Sequence, residues 1–389
     1  MKILQVVPGI SPRFGGPSVA LTDLTRLLTQ QGIETTLITT NADPKGRVDV
    51  PLGVPVEQRG AKVIYYNVWP RGRYAFSLSF AQALSQTISN YDVVHIHWLY
   101  NFSPLITAFL ARRAGVPYVL QLNGSLDPNL LKKNNIIKKV YLFLFGNYII
   151  KNASAIIFTT EAERRLAALD SFQRPSHVVP VGLDWLEYKN LPPFGQFRKT
   201  WPNLGDKRIV LFLGRMSHQK GLDLLIPAFR KVADRHPKAH LVLVGPDGEG
   251  YGARVRQWVA EANLDSRVTF TGRVPDKLKL AAYVDSDVYV LSSHAENFGA
   301  TVTEALACQK PVVITNRVNI CDEVAAAEAG IVVDCSVDSV ADGINRVLDD
   351  YQLAKRLAEN GWELVKQKFT WEAAFKQLIP IYRDLMDKV

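Results

Sequence analysis

The chain has 389 residues, 47% of them hydrophobic and 21% charged, a globular composition that excludes a disordered protein. It is too long for one ordinary core and suits two domains of roughly 150 to 200 residues each. A formal charge of +9 calls for an anionic partner, whether nucleic acid, a phosphorylated substrate or a membrane surface, and the three cysteines, Cys308, Cys321 and Cys335, lack the spacing of a disulfide framework or a structural metal site.

The opening MKILQVVPGI contains a proline and runs into a glycine-rich turn, so it reads as a buried first strand and not as a secretion signal. No run approaches the roughly 18 to 20 apolar residues needed to cross a bilayer, and the expected location is the cytoplasm. Apolar runs rich in β-branched residues then alternate with helical patterns: KILQVVP, TTLITT, KVIYY, DVVHIH, YVLQL, AIIFTT and HVVPVG, followed by RIVLFLG, HLVLVG, VTFTG, DVYVLSS, PVVIT and GIVVD. Near-continuous apolar strands separated by helices predict parallel sheets covered on both faces, and therefore two doubly wound α/β domains. The boundaries expected are 1–190 and 207–370, with residues 182–207, rich in proline and glycine, as the linker between them. The last segment, 371–389, reads as an amphipathic helix interrupted by Pro380.

In such sheets ligands bind beyond the carboxyl ends of the strands, so the loops there carry the chemistry. After the first strand, Gly15 and Gly16 precede Pro17 and a helical pattern closed by Gly32. A glycine pair at a helix start admits a phosphate to free N–H groups, though a plain tight turn explains it equally well. DVVHIH puts His95 and His97 on one side of its strand, His97 nearer the carboxyl end; a strand histidine is as often a satisfied core residue as a functional one, and no third ligand makes the pair a metal site. RIVLFLG is followed by Arg215 and Lys220 around a turn into a helix, two cations suited to a diphosphate.

Two weaker patterns come next. Gly248, Gly250 and Ala253 imitate a dinucleotide fingerprint but lack the acidic residue that should end the following strand. Asp285 and Asp287 imitate a D-x-D metal motif but lie at the amino end of DVYVLSS, which favours a helix-end and turn role for Asp285. That strand leads into HAENFGATVTEALA, where a helix is expected to start near Ala300 or Thr301, leaving Glu296 in the loop and Glu304 about a turn into the helix. Two carboxylates could be the acid and base of a glycosidase, but those must flank one bond roughly 5 to 10 Å apart, whereas this spacing reaches two ends of a longer ligand.

Taken together, the FGGPS loop, the HIHW strand end, GRMSHQKGLD, the VGPDGEG loop and ENFGATVTEALACQKPVV resemble the family-four retaining glycosyltransferases of the GT-B fold over almost the whole chain. The resemblance implies two Rossmann-like domains facing across a cleft, an N-terminal acceptor-side domain to which the segment 371–389 returns, and a C-terminal domain that binds a nucleotide sugar. It implies that Arg215 and Lys220 hold the diphosphate, Glu304 the ribose hydroxyls and Glu296 the donor sugar. Asn297 and the amides of Phe298, Gly299 and Ala300 would line sugar and phosphate, Gly16 would approach the diphosphate, and Gly272, Arg273 and Val274 would lie near the base. Many relatives carry a histidine facing the acceptor where this chain has Asn123, which cannot titrate; a titrating acceptor-side group would then have to be His97. The implied activity is metal- and cofactor-independent transfer of a hexose from a UDP-sugar, UDP-glucose foremost, to a saccharide or lipid-linked saccharide in polysaccharide biosynthesis. A non-hydrolysing sugar-nucleotide epimerase shares the architecture and is the alternative.

The basic, apolar segment 130–151, with Lys132, Lys133, Lys138 and Lys139, reads either as a peripheral contact with an anionic membrane or as a core helix with a solvated lysine face. No nucleic-acid-binding motif is present.

Overall fold

The computed structural model describes residues 1–69, 75–131, 135–248 and 250–387, and the chain divides into two compact units, Met1–Gly182 joined by the final helix, and Leu183–Thr370. The first unit contains β1 (Lys2–Gly9), β2 (Glu34–Thr40), β3 (Ala42–Asp43), β4 (Gly46–Arg47), β5 (Pro55–Gln58), β6 (Ala61–Tyr66), β7 (Val93–His97), β8 (Tyr118–Gln121), β9 (Ala155–Phe158) and β10 (Ser176–Val178). Eight of these form one sheet in the order β10-β9-β8-β7-β1-β2-β6-β5, parallel apart from β5. The apolar runs of the sequence all become strands. β3, β4 and β5 are additional: they are short, and segments such as PVEQ carry no apolar run that would announce them.

The second unit contains β11 (Arg208–Leu213), β12 (Ala239–Val244), β13 (Val268–Gly272), β14 (Val288–Leu291), β15 (Val312–Thr315) and β16 (Gly330–Val333), in the order β13-β12-β11-β14-β15-β16. Residues 183–207 are part of this unit and not a free linker. Phe197 and Leu204 are fully buried, and the Asp285 carboxylate accepts the amides of Gly195 and Arg198 at 2.6 and 3.0 Å. Asp285 thus plays the helix-end role expected of it, and the second domain begins near residue 183 instead of 207.

The final helix, Trp371–Met386, packs on the first sheet through Trp371, Phe375, Leu378, Ile381, Tyr382 and Leu385. It runs through Pro380 without interruption. A proline inside a helix costs about 3 kcal/mol, whereas each large apolar side chain buried contributes roughly 1.5–3 kcal/mol, so the buried stripe outweighs the lost hydrogen bond. Close contact fixes its start: a Cβ on Gly182 would lie 2.5 Å from the Trp371 ring.

Tyr382 also carries a polar group into this core. Gln5 Nε2 donates to its hydroxyl at 3.3 Å, the hydroxyl lies 2.7 Å from His95 Nδ1, and His97 Nε2 lies 2.7 Å from Gln5 Oε1. The two histidine rings stack at 4.2 Å. Both are buried, His97 being 1% exposed; the expectation of an acceptor-facing, titrating His97 is therefore corrected to a buried residue that ties β7 to β1. Burial pushes His95 down to about 3 and His97 well below its ordinary value.

This network makes stability depend on pH. The folded protein keeps both rings neutral while the unfolded chain takes up protons near pH 6.5, so their contribution is complete above that pH and lost as pH falls below it. Urea denaturation should show stability declining below about pH 6.5 by about 1.4 kcal/mol per pH unit for each histidine, and His97→Gln should remove one histidine's share of that slope. An unchanged slope in the variant would show that His97 titrates normally in the folded protein.

Candidate functional site

The strand order of the second unit creates the site. The first strand, β11, has β12 and β13 on one side and β14 to β16 on the other, so the loops leaving β11 and β14 turn away in opposite directions and leave a crevice beyond their carboxyl ends. The loop after β11 carries Arg215 and Lys220, and the loop after β14 carries Glu296. These loops are stitched together: the His294 amide donates to the Gln219 carbonyl at 2.9 Å, and Gln219 Nε2 donates to the Ala295 carbonyl at 2.8 Å.

The stitching brings Lys220 Nζ into an ion pair with the Glu296 carboxylate, the two side chains being 18% and 17% exposed. Glu296 is held through its backbone as well, its amide donating to the Arg317 carbonyl at 2.9 Å and its carbonyl accepting the Asn319 amide at 3.0 Å. Arg215 is exposed and makes no hydrogen bond or ion pair with any described residue.

Gly299 adopts φ +86° and opens the helix Ala300–Ala307, whose first amides have no side-chain cap. Uncapped N–H groups and the positive end of the helix dipole favour an anion there. Phe298 turns its ring into the core against Phe369, 5.6 Å away, so only its backbone is left for a ligand, and Asn297 is half-buried beside it.

Glu304 lies further along this helix, where its carboxylate accepts from Lys279 Nζ and Tyr283 Oη, both at 2.9 Å. Burial opposes the Lys279 charge, and the Glu304 carboxylate outweighs it, so the ammonium is held more firmly than usual. Sequence reasoning missed both partners; their only signal is that they sit four apart, on one face of the helix Asp276–Asp285.

Gly272, with Arg273 and Val274 after it, ends β13, and the Gly272 carbonyl accepts the Gly245 amide at 2.9 Å. Since β12 lies between β13 and β11, these residues occupy the flank of the crevice. Of the dinucleotide-like glycines, Gly248 has a packing explanation: a Cβ there would meet the Met216 carbonyl at 2.5 Å, so the glycine lets its loop lie against the Arg215 loop, while Gly250 holds φ +78° at the start of the next helix.

In the first unit, Gly15 at φ +77° introduces the helix Gly16–Gln30. The preceding loop is pinned by Asp43, which takes hydrogen bonds from Ser11, from the Lys45 amide at 2.8 Å and from Arg13 at 2.7 Å. These outweigh burial and hold its carboxyl below the ordinary value.

Asn123, at φ +50°, lines a cavity of about 250 Å³ with Trp98, Tyr100, Asn101, Gly124, Ser125 and Lys138. The turn is braced by buried Glu163, which accepts from the Gly124 amide and from the Thr159 amide and hydroxyl.

Comparison with known proteins assigns the family. A model described as glycosyl transferases group 1 matches residues 194–363, and one described as a glycosyl transferase 4-like domain matches residues 15–182. The chain belongs to the group 1 glycosyltransferases and has the GT-B fold. An uncharacterized glycosyltransferase of Methanocaldococcus jannaschii is 26% identical, covering 100% of this chain and 99% of the relative. The sucrose-phosphate synthase of Thermosynechococcus elongatus is similar in structure to this glycosyltransferase, with a TM-score of 0.81, 23% identity and full coverage of both chains. So is Anabaena HepE, solved in complex with UDP and glucose, with a TM-score of 0.79 and 21% identity over 99% of this chain and 100% of that one.

The stitching of the loops after β11 and β14 has a consequence for stability. Gly221 adopts φ +66° between them, and a Cβ there would lie 1.8 Å from the Ser292 carbonyl oxygen. Gly221→Ala should cost about 4 kcal/mol or more by denaturant unfolding. Gly272→Ala, at φ +67° with open space around it, should cost only about 1–2 kcal/mol.

Proposed function

We propose that this glycosyltransferase moves a hexose, glucose foremost, from a UDP-sugar to a saccharide or lipid-linked saccharide, with retention of configuration and without a catalytic metal. The observation that carries the reading is the meeting of Lys220 and Glu296 at the switch point of the second sheet, with Arg215 beside them on the same loop and Glu304 along the helix that Gly299 opens.

A bound donor would replace the Lys220–Glu296 pair. The ammonium and the Arg215 guanidinium would take phosphate oxygens, and the Glu296 carboxylate would accept sugar hydroxyls. Departure of the nucleoside diphosphate gathers negative charge on its terminal phosphate. Two cations and uncapped helix amides oriented toward that charge would lower the barrier electrostatically. Asn297 and the amides of Phe298, Gly299 and Ala300 would line the sugar phosphate, Glu304 would hold the ribose, Gly272, Arg273 and Val274 would flank the base, and Gly16 would approach the diphosphate. With His97 in the core, no first-unit histidine is assigned to the acceptor proton, and the leaving phosphate itself is the group to receive it.

The acceptor is assigned to the cavity around Asn123. Its aromatic lining suits a sugar ring, and its polar groups can orient a hydroxyl. Lys138, on its wall, lies on the helix Asn135–Tyr141, where Ile136, Ile137 and Val140 are exposed, followed by exposed Phe143, Leu144 and Phe145. Lys132 and Lys133 lie outside the described residues, and no described helix is long and apolar enough to cross a membrane. An exposed apolar ridge with Lys138 and Lys139 beside it supports peripheral contact with an anionic membrane, where a lipid-linked acceptor would be met.

Calorimetric titration without metal should give binding of UDP in preference to GDP or ADP. Lys220→Ala and Glu304→Ala should each weaken UDP at least tenfold, while Glu296→Ala should weaken UDP-glucose more than UDP. Equal loss of both ligands in the Glu296 variant would remove its sugar role, and product formed from UDP-glucose without an acceptor would turn the reading to an epimerase.

The membrane reading has its own check. The protein should sediment with vesicles containing phosphatidylglycerol and not with pure phosphatidylcholine, and the double substitution of Phe143 and Leu144 to Ser should abolish that. Equal sedimentation with both vesicle types would remove the electrostatic part of the argument.

A further inference from the structure

Beside the donor-side loops lies a group of side chains that the proposed transfer does not use. His218 is on the loop after β11, Asp223 is in the first turn of the helix Leu222–Arg235, and His294 is on the loop after β14. Their candidate ligand atoms all lie within 4.8 Å of one another, and the two imidazole rings are 5.0 Å apart. His294 Nε2 is 3.0 and 2.9 Å from the two Asp223 oxygens. We propose that His218, Asp223 and His294 form a binding site for a first-row divalent transition metal, with Zn²⁺ the fitting ion.

Chemistry and geometry support the assignment. Two imidazoles and one carboxylate form a donor set that binds zinc and its neighbours and leaves a position for water. Zinc sits at about 2.0–2.2 Å from such nitrogen and oxygen atoms, which sets neighbouring ligand atoms roughly 3 to 3.5 Å apart. Asp223 and His294 are already at that separation, and a ring nitrogen of exposed His218 lies within 4.8 Å of both.

The far side of His294 is prepared as well. Its Nδ1 lies 3.4 Å from Cys335 Sγ, which itself lies 3.9 Å from the Ser293 carbonyl. With an ion on Nε2, the ring N–H is on Nδ1 and can be donated to the sulfur, while the thiol donates to the Ser293 carbonyl. The ring then keeps its orientation, the function an outer partner of a metal-bound histidine performs.

The motif escapes sequence scanning because His294 lies 71 residues beyond Asp223 and joins it and His218 only across β11 and β14. His218 and His294 stand two residues before Lys220 and Glu296, so a bound ion would fix the separation of the loops that carry that pair. The assignment does not depend on which sugar the enzyme transfers.

The test uses the full-length protein stripped with a chelator. Zn²⁺ added in competition with a chromophoric chelator should bind at one equivalent, raise the midpoint of thermal unfolding, and be replaceable by Co²⁺ with a visible d–d absorption. His218→Ala and Asp223→Asn should each weaken Zn²⁺ at least tenfold and remove the thermal shift, and Cys335→Ala should weaken it by a smaller factor. His218 is exposed, so its variant should keep its fold by circular dichroism. Absence of stoichiometric Zn²⁺ binding, or identical binding by the parent and the His218→Ala variant, would overturn the proposal.

Discussion

The pairing of β14 with β11, in register from Val210 opposite Val288 to Leu211 opposite Tyr289, is the contact on which the candidate site of this enzyme depends. A parallel sheet wound in both directions from its first strand has one place where neighbouring strands send their following helices to opposite faces. Here that place is between β11 and β14, so the loop bearing Lys220 and the loop bearing Glu296 stand side by side although 76 residues separate them. The loops then secure each other: Gln219 bonds the backbone on both sides of His294, and Gly221 lies so close to Ser292 that no side chain fits. An ion pair set on such a frame can exchange one partner for a ligand without the frame having to reorganise, and preorganisation of this kind is what electrostatic stabilisation of a leaving phosphate requires.

The first unit solves a different problem. Its central strands bring polar side chains, Gln5, His95 and His97, into a core that also receives the Tyr382 hydroxyl from the far end of the chain. Buried polar groups are costly unless bonded, and the bonds that join Gln5 and His95 to the Tyr382 hydroxyl make the docking of the C-terminal helix specific as well as apolar. The cavity of this unit lies elsewhere, where Trp98 and Asn123 hold positive φ angles beside Gly124. Backbone held in that region must be braced, and the buried Glu163 carboxylate provides the brace for the Asn123–Gly124 turn.

The fold was largely legible in the sequence, because near-continuous β-branched runs have few alternatives to buried parallel strands. The positions of Arg215, Lys220, Glu296 and Gly299 were legible for a related reason: glycines and charges immediately after such runs have a defined end of the sheet to occupy. The linker was misjudged because proline and glycine report local backbone preference, whereas Phe197, Leu204 and the amides held by Asp285 fold residues 183–207 onto the second unit. Pro380 misled in the same way, since local propensity ranks below a stripe of buried side chains.

His97 marks the division most clearly. Strand periodicity placed it on the same side as His95 and near the carboxyl end of its strand, and that was correct. Whether that side faces a ligand or a helix depends on what covers the sheet, and Trp371–Met386, arriving from almost the end of the chain, covers it. The sequence alone determined the parallel strands of the two sheets, the loops of the candidate site and the family. Only the tertiary structure decided that His97 is core, that Glu304 is held by Lys279 and Tyr283, and that His218, Asp223 and His294 meet, because each of these depends on elements brought together by strand order and helix docking rather than by proximity along the chain.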